Sequence, residues 1–95
     1  MAIDGIGAIM DERLHQIADK RYTLEHDKAH GTTVLIDAAL AYLMQARGKV
    51  NGATAQVYWP FEICTFKPDD DPLRSLAKAG ALLAAAYDVE ASSDA

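Results

Sequence analysis

From Gly5 to Lys20, the apolar residues Ile6, Ile9, Met10, Leu14 and Ile17 return at spacings of three and four. That is the period of a helix with one face turned to a core. Asp11, Glu12, Arg13 and Gln16 fall between them and read as the polar side, and Asp4 stands where it can cap the first turn. Tyr22 to Gly31 is a polar, histidine-rich connector with room for one turn begun at Thr23. Thr32 and Thr33 then offer natural N-caps for a helix reaching about Ala46. Val34, Leu35, Ile36, Leu40, Tyr42, Leu43 and Met44 surround that helix almost completely. A helix apolar on all sides is central in a bundle or buried between subunits. Gly48 is its expected stop.

The pattern then changes. Lys49 to Asp71 reads as a long loop carrying Tyr58-Trp59-Pro60-Phe61 and Phe66-Lys67-Pro68, with short extended pieces at 57–59 and 63–66. A loop of this length is usually functional or disordered, and its aromatic residues favour an ordered one. Asp71 as cap and Pro72 at the first helical position open the last helix, in which Leu73, Leu76, Gly80, Leu83 and Tyr87 keep helical spacing. Its many alanines allow a neighbouring helix to come close. The expected architecture is all-α: a small helical bundle of three to four helices with a long structured loop between the last two. It forms one domain over 1–95, with its core at about 5–90 and a flexible tail at 91–95.

Composition adds three constraints. Of the 95 residues, 51% are hydrophobic, more than a thin single core readily shelters, so a homo-oligomer is expected. A formal charge of −5 opposes binding along a nucleic-acid polymer, which needs a basic face to displace counterions. Cys64 is the only cysteine, which excludes a disulfide framework within the chain and a multi-cysteine metal site. The first ten residues hold no Lys or Arg, and the apolar run from Val34 to Met44 is broken by Asp37. Neither a signal peptide nor a membrane span is therefore expected, and the cytoplasm is the expected compartment.

Three groups of residues are candidates for chemistry. Glu25-His26-Asp27 with His30 is the densest polar cluster, and four-residue spacing would put both imidazoles on one helical face. With His15 nearby this suggests zinc, although such spacing alone lacks a fixed third ligand. The plainer reading is a connector that hydrogen-bonds to helix ends. His30-Gly31-Thr32-Thr33 opens a helix with no acid before Asp37, a start that suits an anion or simple threonine capping. Trp59, Phe61 and Phe66 offer faces for a base, and Lys67, Arg74 and Lys78 offer positive charge. The alternative for these is a loop anchored over the core by its aromatics. No Walker loop, paired-glycine dinucleotide turn or cysteine–histidine zinc pattern is present.

Read in order, Glu12-Arg13-x-x-Gln16, Tyr22-Thr23-Leu24-Glu25-His26-Asp27, His30, Trp59-Pro60-Phe61, Phe66-Lys67-Pro68 and Leu76-Ala77-Lys78-Ala79-Gly80-Ala81-Leu82 form a recurring order of motifs. Together they resemble small uncharacterised proteins of bacteriophages and prophages with an E-R-x-x-Q start, a G-W-T-P-E-H-D-D segment, a W-P-W loop, a W-K-P turn and an L-V-K-A-G-A-L helix. The resemblance runs from about residue 12 to 87. Arg21 stands where that pattern has Gly, Leu24 where it has Pro, and Lys28 where it has the second Asp. The opening and the alanine-rich last helix are also similar to MazG-like nucleotide pyrophosphohydrolases. Those enzymes hold magnesium with Glu-x-x-Glu and Glu-x-x-Asp pairs, and this chain has neither pair.

Three functions follow as expectations. The first is a binding protein that sequesters a nucleotide-derived signal of host defence, a cyclic dinucleotide or an ADP-ribose derivative, without cofactor or catalysis. Its expected ligand-binding set is Glu12, Arg13, Gln16, Tyr22, Glu25, His26, Asp27, His30, Thr32, Thr33, Trp59, Phe61, Phe66, Lys67, Arg74 and Lys78. The second is a metal-dependent nucleotide hydrolase, favoured if two carboxylates face one pocket. The third is a protein-binding inhibitor, favoured by a flat apolar patch without a cavity.

Overall fold

In the computed structural model, the residues described are 4–47, 59–60 and 71–92. They form helices α1 (Gly5–Ala18), α2 (Leu24–His30), α3 (Thr32–Arg47) and α4 (Pro72–Ser92). No strand occurs among the described residues, and none of their helices is long and apolar enough to cross a membrane. The chain is an all-α bundle.

Local hydrogen bonds set the helix boundaries. The Asp4 carboxylate accepts from the Gly7 N–H at 2.7 Å and starts α1. The Thr23 hydroxyl accepts from the His26 N–H at 3.2 Å and starts α2, so the single turn expected there is a helix of seven residues. Between them Arg21 adopts φ +59°, a left-handed conformation. Gly31 separates α2 from α3 with φ +88° and ψ 162°, a backbone region that is essentially glycine's own. Its N–H donates to the Asp27 carbonyl at 3.0 Å and closes α2. The Asp71 carboxylate accepts from the Leu73 N–H at 3.0 Å and opens α4, which reaches Ser92. The expected stop at Gly48 and the extended pieces lie outside the described residues, apart from Trp59.

The core lies between α3 and α4. Leu35, Ala38, Ala39, Ala41 and Tyr42 pack with Ala79, Leu82, Ala85, Ala86 and Val89, and Leu43, Met44 and Trp59 close its edge. Alanine on both helices brings the backbones together. The helix that is apolar on all sides is therefore central within the chain, with Ile36 as its exposed large side chain.

Helix α1 corrects the sequence expectation. Ile6, Met10, Leu14 and Ile17 are exposed, while Gln16 is buried. Of the five apolar residues on the expected core face, Ile9 is the one that packs inward. A Cβ on Gly80 would lie 2.5 Å from Ile9 Cδ1, so glycine is what lets α1 sit on α4. Periodicity identifies a face but not its cover. Here α3 and α4 already supply the core, and α1 turns its Glu12, Arg13 and Gln16 side inward.

Candidate binding pocket

The inward edge of α1 forms one wall of a pocket of about 360 Å³. Glu12, His15 and Gln16 sit at spacings of three and four on that wall, and Lys20 and Tyr22 follow from the turn. Helix α2 contributes His26, Asp27 and His30; α3 contributes Leu35 and Tyr42; α4 contributes Lys78 and Leu82; Trp59 completes the lining. Its volume is at the lower end of small-molecule sites.

Beneath the polar wall lies an ionic network. The Asp27 carboxylate, 1% exposed, receives Arg13 Nη2 on Oδ2 at 3.1 Å and meets His26 Nδ1 at Oδ1, also at 3.1 Å. Arg13 Nη1 donates to Gln16 Oε1 at 3.2 Å, and Nη2 lies 3.8 Å from the exposed Asp88 carboxylate. Glu12 Oε1 accepts from Arg74 Nε at 2.6 Å. Both carboxylates on the wall are thus neutralised by an arginine. Lys20 and Lys78 bring ammonium groups to the lining, while the His15 and His26 imidazoles meet the Asp19 and Asp27 carboxylates through Nδ1 at 2.6 and 3.1 Å.

The aromatic side chains are ordered against one another. Tyr22 stacks on His26 with centroids 4.5 Å apart and planes 5° from parallel, and His26 meets His30 edge-on at 4.8 Å. Tyr42 meets Trp59 edge-on at 5.6 Å, and Lys78 Nζ lies 5.5 Å from the Tyr42 ring centroid. Tyr42, Trp59 and Lys78 therefore form one group in the lining, and Tyr22, His26 and His30 form another.

The expected site residues divide accordingly. Glu12, Gln16, Tyr22, His26, Asp27, His30, Trp59 and Lys78 line the pocket. Arg13 and Arg74 act one layer behind by holding its carboxylates. Glu25 is exposed and does not line it. Phe61, Phe66 and Lys67 lie outside the described residues.

Thr32 and Thr33 do not line the pocket, and the acid-free helix start expected there is not acid-free in space. The Thr32 hydroxyl donates to Glu90 Oε2 at 2.8 Å across 58 positions of sequence. A carboxylate from α4 thus sits beside the helix start.

His15, Lys20, Leu35, Tyr42 and Leu82 also line the pocket without having been in the expected set. Their signal was the helical spacing that joins His15 to Glu12 and Leu82 to Lys78.

His26 and His30 do share a face, as their spacing allowed. Among the described residues, however, no group of three His, Cys, Asp or Glu side chains is arranged to hold a metal ion. No protein-family model, curated protein or solved structure matches this chain.

Proposed function

We propose that this protein binds a nucleotide-derived small molecule in the α1–α4 pocket and retains it without turning it over. The observation that carries this reading is a 360 Å³ pocket lined by Trp59 and Tyr42 together with Lys20 and Lys78. A base stacked on Trp59 gains about 1–3 kcal/mol without base-specific contacts. A phosphate beside the lysines takes charge-assisted hydrogen bonds from them. Arg74 and Arg13 support this by neutralising Glu12 and Asp27, the carboxylates that would repel it. The volume suits one nucleotide unit, so a cyclic dinucleotide would extend beyond a single pocket. The resemblance to phage proteins supplies the biological setting, sequestration of a host-defence signal.

The test is calorimetric titration with nucleoside monophosphates, cyclic dinucleotides and ADP-ribose derivatives, using wild type and Trp59→Ala. Binding tighter than about 10 μM, roughly −6.8 kcal/mol, that weakens in Trp59→Ala is the expected result. No binding at that level by any of them removes the reading.

One observation favours the hydrolase instead: Glu12 and Asp27 face the same pocket. As arranged, they do not fit a magnesium ion. Both Asp27 oxygens are engaged by Arg13 and His26, and Glu12 Oε1 is held by Arg74. Magnesium-dependent pyrophosphate release from nucleoside triphosphates, abolished by Glu12→Gln, would decide for the enzyme.

A further inference from the structure

Both oxygens of Asp27 are engaged, Oδ2 by Arg13 and Oδ1 by His26, so this carboxylate acts on the pocket through the imidazole. A carboxylate paired with a guanidinium can only accept. The proton between Oδ1 and His26 Nδ1, 3.1 Å apart, therefore belongs to the ring. In the neutral imidazole this leaves Nε2 with the lone pair.

The ring is held in place as well as in tautomer. Tyr22 stacks on it at 4.5 Å, 5° from parallel, and His30 meets it edge-on at 4.8 Å. The two nitrogens of an imidazole point to nearly opposite sides. With Nδ1 turned to the buried Asp27, Nε2 is turned away from the interior. The side chain is 36% exposed and lines the pocket, and Nε2 hydrogen-bonds to no described residue. His15 has the same Nδ1 contact with Asp19, but that carboxylate is 68% exposed and water competes for it.

We propose that His26 is the residue by which the pocket recognises a ribose, its Nε2 accepting a hydrogen bond from a sugar hydroxyl of the bound nucleotide. This role presupposes the nucleotide reading of the pocket, with the base on Trp59. A phosphate oxygen would meet Nε2 acceptor to acceptor, so the ligand group that fits there is a donor. The Lys20 and Lys78 ammoniums suit the phosphate. Trp59 and Tyr42, a separate pair of rings, suit the base. The sugar hydroxyls are the donors that remain. A site built around an acceptor rejects an analogue that lacks the donor, because the acceptor is then left unpaired. Ribonucleotides are thereby selected over nucleotides without sugar hydroxyls, and Asp27 is the positioning residue that sets this choice.

Calorimetric titration with adenosine monophosphate and 2′,3′-dideoxyadenosine monophosphate tests this on wild type and on His26→Phe. That variant keeps a ring against Tyr22 and removes both nitrogens, and circular dichroism checks its helix content. Wild type is expected to bind the dideoxy form about fivefold to tenfold more weakly, and His26→Phe to bind both alike. Equal binding of the two by wild type overturns the ribose role and leaves the pocket reading standing. Discrimination that persists in His26→Phe also overturns it. Failure of both nucleotides to bind wild type overturns it together with the reading beneath it. Long-range 1H–15N NMR of the free protein at mildly alkaline pH tests the tautomer without any nucleotide. The ring proton is expected on Nδ1 in wild type and on Nε2 in Asp27→Asn, whose amide donates where the carboxylate accepted. A wild-type proton on Nε2 overturns the proposal whatever binds.

Discussion

The Arg13 guanidinium lies 3.1 Å from the buried carboxylate of Asp27, joining α1 to α2 across fourteen positions of sequence. The pair determines which side of α1 faces the pocket. It also draws the Arg13 guanidinium away from the exposed apolar stripe of α1. One ion pair therefore links the polarity of the pocket to the exposure of the opposite surface.

Breaking that pair should be expensive, because Asp27 would stay buried with only His26 for company. Arg13→Met is expected to lower stability by about 3 kcal/mol, as for other broken buried pairs. Asp88, 57% exposed and 3.8 Å from Arg13, is an outer partner, and Asp88→Asn should cost well under about 1 kcal/mol. Urea denaturation of both variants checks the ranking, and equal losses would contradict it.

Gly31 is required by its backbone and not by space. A Cβ there would meet nothing within 4 Å, yet its φ is +88°. Gly31→Ala is expected to cost about 1–3 kcal/mol from backbone strain alone. Gly5→Ala, also in open space but with no positive φ, is the control and should be neutral or slightly stabilising. Thermal melts of the two variants separate them.

At Gly80 the constraint is the reverse. Ala there gains helix propensity worth about 1 kcal/mol, but its Cβ would press on Ile9 Cδ1 and Cγ1 at 2.5 and 2.6 Å. Overpacking of this kind typically costs about 1–3 kcal/mol, so Gly80→Ala is expected to be net destabilising. Combined with Ile9→Ala, the same change should become favourable. A double-mutant cycle that shows additivity would mean that α1 and α4 do not meet there.

If the pocket binds an anion, its cations should matter and the α3 start should not. Lys20→Met and Lys78→Met are each expected to weaken binding of the best nucleotide found by calorimetry by about tenfold, or 1.4 kcal/mol. Thr33→Ala, on a residue outside the pocket lining, should leave affinity unchanged. The opposite pattern would move the phosphate to the helix start.

Much of the local structure was legible in the chain because it rests on interactions within one helical turn. Asp4 reaches Gly7, Thr23 reaches His26 and Asp71 reaches Leu73. Such bonds depend on three or four neighbouring residues, which a sequence displays directly. The burial of α3 was legible too, although its place, inside the bundle or between subunits, was decided only by α4 packing on it.

What the tertiary structure alone decided was orientation and convergence. The apolar stripe of α1 was visible in the sequence, but its outward direction was not. Direction depends on which surface of α4 is offered, and Gly80 admits Ile9 while Arg13 and Gln16 turn towards Asp27. Glu12 meets Arg74 across 62 positions and Thr32 meets Glu90 across 58. The first pairing neutralises one wall of the pocket, and the second places an acid at a helix start that looks acid-free along the chain. Electrostatic interaction falls with distance in space and takes no account of distance in sequence. Capping and periodicity therefore belonged to the sequence, while the pocket and the exposed face of α1 came into being only when the helices packed.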